Sequence, residues 1–101
     1  MVYEIVWSEL ALQSFLSNIS YLKTDWTETE IVNFTNSTTE IIQLLSLQPG
    51  IGRLTNKKAY LRKVLVSKRI ILIYRFKPSI NVVELVQFFN TWQHPKKRKD
   101  N

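Results

Sequence analysis

The spacing of apolar residues changes along the chain, and each change predicts a different element of secondary structure. Residues 2–7 are rich in β-branched and aromatic side chains and have one wholly apolar face, which predicts a short strand. Ser8 is a suitable N-cap, and from Leu12 the apolar residues recur every three or four positions, which is typical of a helix. This helical stripe consists of Leu12, Phe15, Leu16, Ile19 and Leu22. The helix is predicted to end at residues 23–25.

A second helix is predicted to begin after Thr27, because Thr27 and Glu30 have the spacing of a capping box. Its apolar side consists of Ile31, Phe34, Ile41, Ile42 and Leu45, with Thr38 on the same side. Residues 48–52 end the helix, since proline cannot continue it and glycine tolerates a positive φ. The two helices are expected to form an antiparallel hairpin with one shared apolar seam.

Beyond residue 52 the apolar period becomes two, which indicates strands. Residues 53–58 are predicted to be a polar loop, and strands are predicted at 60–66, 69–76 and 80–89. A two-residue turn, Ser67-Lys68, joins the first two of these strands. Because such short links join them, the three strands must be antiparallel. The order βααβββ predicts an α+β fold, in which an N-terminal helical hairpin packs on a small antiparallel sheet that is mixed at the N-terminal strand.

The composition of the chain predicts the number of domains and the kind of partner. The chain has 101 residues, of which 45% are apolar and 12% aromatic, which is enough for one compact core. Residues 1–93 are expected to form a single domain, followed by a basic, flexible tail over residues 94–101. Residues 1–50 carry six acids and one base, whereas residues 51–101 carry thirteen bases and two acids, for a net charge of +6. This distribution favours a nucleic acid, a ribonucleoprotein surface or an acidic protein as partner.

Several classes of protein are excluded by what the sequence lacks. Without cysteine, the chain cannot form disulfides, thiolate metal sites or a cysteine nucleophile. The N-terminus has no basic region before a long apolar run, and the longest apolar run, residues 70–74, is too short to span a bilayer. A cytoplasmic location is therefore expected. The single histidine and the scattered acids lack ligand spacing, so neither a metal nor another cofactor is predicted.

Cationic residues on the predicted strands and their loops are the strongest functional signal. They are Lys57, Lys58, Arg62, Lys63, Lys68, Arg69, Arg75 and Lys77. The even-numbered residues of the 69–76 strand form its more apolar face and are expected to face the core. Arg69 and Arg75 are therefore expected on the opposite face, toward solvent or a partner. With Tyr60 and Trp92 nearby in the chain, these cations could bind a phosphate backbone and stack a base. A single surface lysine is common on soluble sheets and indicates no partner. The thirteen bases and two acids of residues 51–101 together favour an anionic partner.

His94 supports a catalytic hypothesis that competes with a simpler one. It could move a proton from a ribose hydroxyl, while Arg62 or Arg75 stabilises charge on the scissile phosphate. In the simpler interpretation, Trp92 packs over the sheet edge and His94 is an exposed loop residue before a proline. The second interpretation is favoured, because the sequence provides no evident catalytic partner for this histidine.

Short motifs in a characteristic order resemble the RelE/ParE-family toxins, the toxic half of bacterial type II toxin–antitoxin, or plasmid stabilisation, modules. The motifs are Tyr3-Glu4-Ile5-Val6-Trp7-Ser8 with Ala11, Pro49-Gly50-Ile51-Gly52, Leu61-Arg62-Lys63, Leu72-Ile73-Tyr74-Arg75 and Phe88-Phe89-Asn90-Thr91-Trp92-Gln93-His94-Pro95-Lys96-Lys97. Their order and spacing carry the resemblance, which extends over nearly the whole chain. It implies a small antiparallel sheet with an N-terminal helical hairpin, and an antitoxin, often acidic, as partner.

The same resemblance implies two kinds of target. RelE-like members cleave mRNA in the ribosomal A site without a metal, whereas ParE-like members poison DNA gyrase by binding. Cleaving members usually carry arginine at the position of Ile71, and many relatives carry arginine in place of Trp92. Apolar side chains cannot stabilise a transition-state phosphate as arginine does. Binding is therefore expected rather than metal-independent cleavage of mRNA.

The resemblance thus implies a growth-inhibiting toxin that binds DNA gyrase and is neutralised by a cognate antitoxin. The alternatives are a ribosome-dependent mRNA endoribonuclease and a decayed toxin that binds only its antitoxin. The predicted residues for the target are Lys57, Lys58, Arg62, Arg69, Arg75 and Trp92. Under the endoribonuclease hypothesis, the catalytic residues would be His94, Arg62 and Arg75.

Overall fold

The computed structural model describes residues 2–25 and 27–91, and this part of the chain forms two α-helices and five strands. In chain order the elements are β1 (Glu4–Trp7), α1 (Glu9–Asp25), α2 (Glu28–Leu47), β2 (Arg53–Asn56), β3 (Leu61–Leu65), β4 (Ile70–Lys77) and β5 (Val82–Asn90). Short 3-10 turns at Pro49–Ile51 and Pro78–Ile80 precede β2 and β5. The capping box predicted at the start of α2 is present, since Thr27 and Glu30 bond reciprocally.

The five strands form one sheet in the order β1-β5-β4-β3-β2. Strand β1 runs parallel to β5, and every other neighbouring pair is antiparallel. Both helices supply buried side chains to one core against this sheet, which leaves the other face open. The predicted α+β fold, the helical hairpin and the mixed pairing at the N-terminal strand are therefore confirmed.

Strand β2 was not predicted, because residues 53–58 were expected to be a polar loop. Its four residues are all exposed, and it pairs with β3 through Arg53 opposite Lys63 and Leu54 opposite Arg62. A strand at a sheet edge can be held by backbone hydrogen bonds alone, so it needs no buried face and leaves no apolar period in the sequence. The element order is therefore βααββββ.

The predicted strand ends are wrong by one or two residues where the backbone leaves the extended conformation. Strand β3 begins one residue late because Tyr60 has a φ of 57°, and β5 begins after Asn81, whose φ is 56°. The two-residue turn before β4 is also wrong. The amides of Val66 and Ser67 both donate to the carbonyl oxygen of Ile70, at 2.9 and 3.3 Å, which makes a wider turn.

Helix α1 is rotated relative to the predicted apolar stripe. Ala11 and Asn18 face the sheet and are buried, whereas Leu12 and Leu16 are 49% and 54% exposed. The members Phe15 and Ile19 of the predicted stripe do pack on the core, and the side chain of Leu22 lies outside the part described.

Polar contacts with β5 determine this rotation. Strand β1 ends opposite Leu85, so the following residues of β5 have a backbone edge without a strand partner there. Ser8 Oγ donates to the Val86 carbonyl, Ser14 Oγ accepts from the Phe88 amide, and Asn18 Nδ2 donates to the Phe88 carbonyl, at 2.9–3.1 Å. Unpaired backbone groups are costly when buried. The side of α1 that carries Ser14 and Asn18 therefore faces β5, and Leu12 and Leu16 face solvent.

Four aromatic rings pack together between α1, α2 and the sheet. Phe15 lies 5.2 Å from Phe88 and 5.5 Å from Phe34 between ring centroids, and Trp7 lies 5.6 Å from both Phe15 and Phe88. We call these four residues the aromatic cluster. The predicted stripe of α2 is confirmed here, since Phe34 and Thr38 are buried and the Thr38 hydroxyl donates to the Phe34 carbonyl.

Candidate functional site

The cations predicted to bind a target lie at two ends of the β3–β4 hairpin. Lys57 and Lys58 are exposed in the turn before β3, beside Arg62 on β3 and Arg75 on β4. Arg69 lies in the turn at the opposite end, six residues before Arg75, which corresponds to roughly 20 Å of extended strand. The structure therefore brings four of these residues to one end of the sheet and places Arg69 away from them.

Arg62 lies on the face of the sheet that the helices cover, where it is opposite Tyr74 of β4. Its Nη1 donates to the carbonyl oxygens of Gly52 and Gly50, at 2.7 and 3.3 Å. The guanidinium group therefore holds the 3-10 turn after α2 against the sheet. Being half-buried, it still presents part of its charge to solvent.

Tyr74 completes this connection, a role that was not predicted from the sequence. Its buried hydroxyl donates to the Pro49 carbonyl at 2.6 Å and accepts from the Gly52 amide at 2.9 Å. The expectation that this glycine supplies a positive φ is wrong, because Gly52 has an extended backbone with a φ of −75°. A Cβ atom at this position would overlap the Tyr74 ring and come within 2.9 Å of the Lys63 carbonyl oxygen. Glycine is therefore required because another side chain approaches the backbone closely.

The environment of Tyr74 changes its acidity. Burial raises the pKa of its phenol above the ordinary value of 10.0, because the phenolate would lose hydration. The hydrogen bond from the Gly52 amide and the positive charge of Arg62 lower this pKa and offset part of the effect. The group is therefore neutral at physiological pH, where its hydroxyl acts as a structural donor.

Arg75 lies on the open face of the sheet and is held by the chain's own groups. Its Nε donates to the Ala59 carbonyl at 2.9 Å, and its Nη1 pairs with Glu84 Oε1 at 3.1 Å. Lys77 Nζ lies 3.3 Å from the same carboxylate oxygen. Glu84 therefore neutralises part of the charge of two cations and fixes Arg75 under the turn that carries Lys57 and Lys58.

Arg62 and Arg75 therefore lie on opposite faces of one sheet. Their cross-strand partners show this, since Arg62 is opposite buried Tyr74 and Arg75 is opposite Leu61. Arg62 donates to the carbonyls of Gly50 and Gly52, and Arg75 donates to the Ala59 carbonyl and to Glu84. A single phosphate cannot be bound by both guanidinium groups without rearrangement, so this geometry suits separate contacts better than a shared catalytic centre.

Two adjacent concavities of about 270 and 320 Å³ lie beside this end of the sheet and share Tyr60, Phe76 and Pro78 as walls. We call them together the Tyr60 groove. The remaining lining residues are Leu54, Lys57, Arg62, Lys77, Ser79 and Ile80. Among the described residues the groove has apolar walls, three cations and no acid.

The open face of the sheet is apolar at the other end of the same strands. Ile71 is opposite Leu65 of β3 and Phe89 of β5, so that a row of apolar side chains crosses three strands. Leu65 is 60% exposed, and Ile71 and Phe89 are partly buried. At Ile71 the structure therefore offers apolar surface instead of the positive charge that would stabilise a phosphate.

Arg69 borders a third concavity, of about 250 Å³, between α2 and the β3–β4 turn. Lys68, Glu30 and Ser67 also line it. The carbonyl oxygen of Arg69 accepts from the amide and the hydroxyl of Thr91, which attaches this turn to the end of β5. The cavity is separate from the Tyr60 groove.

The two remaining predicted site residues, Trp92 and His94, lie outside the described residues, as does the predicted tail 94–101. Their roles stay predictions. Within residues 2–25 and 27–91, no group of three or more histidine, cysteine, aspartate or glutamate side chains could hold a metal ion. No helix in the same ranges is long and apolar enough to cross a membrane.

Comparison with known proteins gives matches to solved structures only: no family model matches the chain, and no curated protein matches its sequence. The chromosomal ParDE toxin–antitoxin system from P. aeruginosa contains a chain with a TM-score of 0.71 and 11% identity, over 88% of this chain and 96% of that one. The toxin–antitoxin complex RelBE2 from Mycobacterium tuberculosis gives a TM-score of 0.62 and 14% identity, over 89% and 99% of the two chains. The chain has the RelE/ParE toxin fold.

A third structure, a variant of the E. coli toxin RelE in the free state, matches with a TM-score of 0.57 and 17% identity, over 98% of this chain and 99% of that one. Each match spans nearly the full length of both chains, so the similarity concerns the whole domain and not a shared hairpin. The resemblance indicated by the sequence motifs is therefore confirmed for the fold.

Proposed function

We propose that this chain is the toxin of a toxin–antitoxin module and that it inhibits growth by binding an essential target, with DNA gyrase as the first candidate. The RelE/ParE fold supports the toxin role, since two of the similar structures are described as toxin–antitoxin systems. A cognate antitoxin is the expected partner. The thirteen bases of residues 51–101 give this partner and the target a cationic region to bind.

The observation that favours binding over catalysis is the separation of Arg62 and Arg75 on opposite faces of the sheet. Phosphoryl transfer without a metal needs several donors directed at one phosphate. Here one guanidinium holds the Gly52 carbonyl, the other holds the Ala59 carbonyl and Glu84, and Ile71 lies in an apolar row. A binding toxin needs only surface charge at separate points.

The test is a gyrase supercoiling assay with the purified protein, together with growth after induced expression. We expect inhibition of supercoiling or trapped cleavage complexes, and loss of both with Lys57→Glu/Lys58→Glu, because reversing two exposed charges repels an anionic target. Lys23→Glu is the matched control, since Lys23 is exposed on α1 and lies outside the proposed surface. If gyrase stays active at concentrations of the protein that stop growth, gyrase is excluded as the target. If induced expression does not affect growth, the toxin role is excluded and only antitoxin binding remains.

One observation favours the endoribonuclease alternative: Lys57, Arg62 and Tyr60 line the same concavity of the Tyr60 groove. Cations beside a hydroxyl group are a suitable set for RNA cleavage without a metal. Primer extension on translated mRNA distinguishes the two functions. Cuts in the ribosomal A site that disappear with Arg62→Ala or His94→Ala would support cleavage, and a toxic protein that produces no cuts would exclude it.

A further inference from the structure

The cavity of about 250 Å³ between α2 and the β3–β4 turn has two walls of different character. We call it the Ser67 cavity. One wall is the turn itself, with Ser67, Lys68 and Arg69. The other wall is a single stripe of α2, whose members have the helical spacing i, i+3, i+4 and i+7: Glu30, Asn33, Phe34 and Ser37. Pockets for drug-sized ligands measure about 300–1,000 Å³, so this cavity suits a smaller molecule and not a large cofactor.

The hydroxyl group of Ser67 is the feature of this cavity that the fold leaves unexplained. Its oxygen is buried and has no hydrogen-bond partner among the described residues. A buried hydroxyl without a partner costs free energy, and alanine would avoid that cost at the same position. An acceptor atom of a ligand in the cavity would supply the missing partner. The unpaired hydroxyl therefore indicates that the turn has a role in binding.

Two cations follow this hydroxyl directly in the chain. Lys68 is exposed, Arg69 is half-buried, and both line the same cavity as Ser67. The three consecutive side chains are all hydrogen-bond donors, and two of them carry a positive charge. A phosphate monoester has three terminal oxygens that accept such bonds, whereas a carboxylate has two. The donors of the turn therefore suit a phosphate group better than a carboxylate.

The stripe of α2 offers groups that suit the hydroxyls of a sugar. The Glu30 carboxylate accepts from the Thr27 amide at 3.0 Å through Oε1, which keeps it at the first turn of α2. Carboxylates accept hydrogen bonds from ribose hydroxyls, and the Asn33 amide can both donate and accept. Because a carboxylate repels a phosphate, the phosphate of a ligand would lie against the turn and its hydroxyl-bearing part against α2.

Both walls are held by contacts within the chain. The Arg69 carbonyl accepts from the amide and the hydroxyl of Thr91, at 2.8 and 3.0 Å, which attaches the turn to the end of β5. On the other wall, Phe34 is 1% exposed and stacks on Phe15 with 5.5 Å between ring centroids. The backbone of the cavity is therefore ordered before any ligand arrives, which lowers the entropy that binding must cost.

We propose that the Ser67 cavity binds a small phosphate ester whose organic part carries hydroxyl groups, as a sugar phosphate or a mononucleotide does. Ser67, Lys68 and Arg69 would hold the phosphate, and the stripe of α2 would hold the hydroxyl groups. The two sources share this chemistry, and the experiment distinguishes them. The proposal does not depend on the toxin role or on the identity of its target.

The first experiment is a titration of the ¹⁵N-labelled protein with ribose 5-phosphate and with adenosine 5′-monophosphate, followed by amide chemical shifts. We expect at least one ester to shift the amides of residues 30–37 and 66–70, and the tighter of the two identifies the source. Ribose and inorganic phosphate are the controls. Each should bind at least about tenfold more weakly than that ester, because each lacks the contacts of one wall. No shifts with either ester, shifts confined to other residues, or equal affinity for inorganic phosphate would overturn the proposal.

Ser67→Ala separates a binding role of the hydroxyl from a structural one. It should raise the Kd of the tighter ester about tenfold, because a hydrogen bond to a charged phosphate is lost. The Tm should stay the same or rise, since the variant removes a buried hydroxyl that has no partner in the described part of the chain. A lower Tm with an unchanged Kd would show that the hydroxyl stabilises the fold and binds nothing.

Lys68→Gln tests the charge of the turn and has a matched control on the preceding strand. It should raise the Kd of the same ester about tenfold, because one of the two cations at the phosphate is lost. Lys63→Gln makes the same change of net charge at an exposed position of β3 that does not line the cavity, and it should leave the Kd unchanged. Equal effects of the two substitutions would mean that only net charge attracts the ligand, which would overturn the proposed site.

A further arm uses octauridylate, in which the nucleotides are joined by phosphodiesters. Tighter binding of this oligonucleotide than of either ester at the same amides would overturn the proposal in favour of a nucleic acid. The gyrase and growth assays test the proposed function separately. A protein that binds the ester but is harmless would keep the Ser67 site and lose the toxin role, and a toxic protein that binds neither ester would do the reverse.

Discussion

The aromatic cluster and the Tyr60 groove belong to the same sheet, but different forces stabilise them. In the cluster, rings from β1, α1, α2 and β5 pack on one another, and burial of apolar area provides the free energy. In and beside the groove, the guanidinium groups of Arg62 and Arg75 donate to carbonyl oxygens and to the Glu84 carboxylate, while the ring of Tyr60 stays exposed. Substitutions in the cluster should therefore affect the free energy of unfolding, and substitutions in the groove should affect binding first.

The largest effect on stability is expected from Phe88→Ala in the aromatic cluster. The Phe88 ring is buried between Trp7 and Phe15, so its removal should lower the free energy of unfolding by about 3–5 kcal/mol. Urea unfolding followed by circular dichroism measures this. Leu16→Ala, on the exposed side of α1, should change it by less than about 0.5 kcal/mol. Similar losses for the two variants would contradict the division between cluster and surface.

The next largest effect is expected where the 3-10 turn after α2 contacts the sheet. Gly52→Ala would place a methyl group against the Tyr74 ring and the Lys63 carbonyl, which should lower the free energy of unfolding by about 3 kcal/mol. Gly50 is the matched control, because a Cβ atom there meets nothing within 4 Å. Gly50→Ala should be nearly neutral in the same urea experiment, and equal effects at both positions would refute the close-packing explanation for Gly52.

A smaller effect is expected from Tyr74→Phe, because the Tyr74 hydroxyl links the sheet to the 3-10 turn after α2. It removes the hydrogen bond to the Pro49 carbonyl and leaves the Gly52 amide without its acceptor, for a loss of about 1–2 kcal/mol in the free energy of unfolding.

The same variant tests the pKa of Tyr74. Because the pKa is raised in the folded state, the folded protein keeps the proton that the unfolded chain loses as the pH rises above 10.0. The free energy of unfolding should therefore fall more steeply above pH 10 in the wild type than in Tyr74→Phe. Urea midpoints at several pH values from 9 to 11 measure the difference, and parallel curves for the two proteins would show that Tyr74 ionises at its ordinary pKa.

The smallest effect on stability is expected from Glu84→Gln beside the groove. Its pairs with Arg75 and Lys77 are partly exposed, so the loss should stay below about 1 kcal/mol and decrease in high salt. Unfolding in 0.05 and 0.5 M NaCl checks this, with Glu40→Gln on the exposed side of α2 as control. A loss of several kcal/mol that persists in high salt would mean that the groove contributes to the fold as strongly as the aromatic cluster.

Local signals predicted much of the fold because they are strong where an element has a buried face. The capping box at Thr27, the α2 stripe around Phe34 and the alternating residues of β4 each needed only their own neighbours in sequence. Edge strand β2 has no buried face, and its existence depends on pairing with β3, so no local signal could predict it.

For the candidate site, the sequence predicted which residues are cationic but not how they are arranged. Arg62 and Arg75 were both candidates for one phosphate, yet the register of β3 and β4 puts them on opposite faces. The Tyr60 groove could not be predicted either, because its walls come from two separate stretches of the chain, residues 54–62 and 76–80.

By itself, then, the sequence determined the α+β class, the helical hairpin, the division of charge between the two halves and the resemblance to RelE/ParE toxins. Only the tertiary structure decided the rotation of α1, the requirement for glycine at Gly52 and the formation of the Tyr60 groove. The physical reason is the range of the interactions: helix and strand patterns depend on neighbouring residues, whereas a backbone edge, a close approach or a concavity exists only after distant segments have packed.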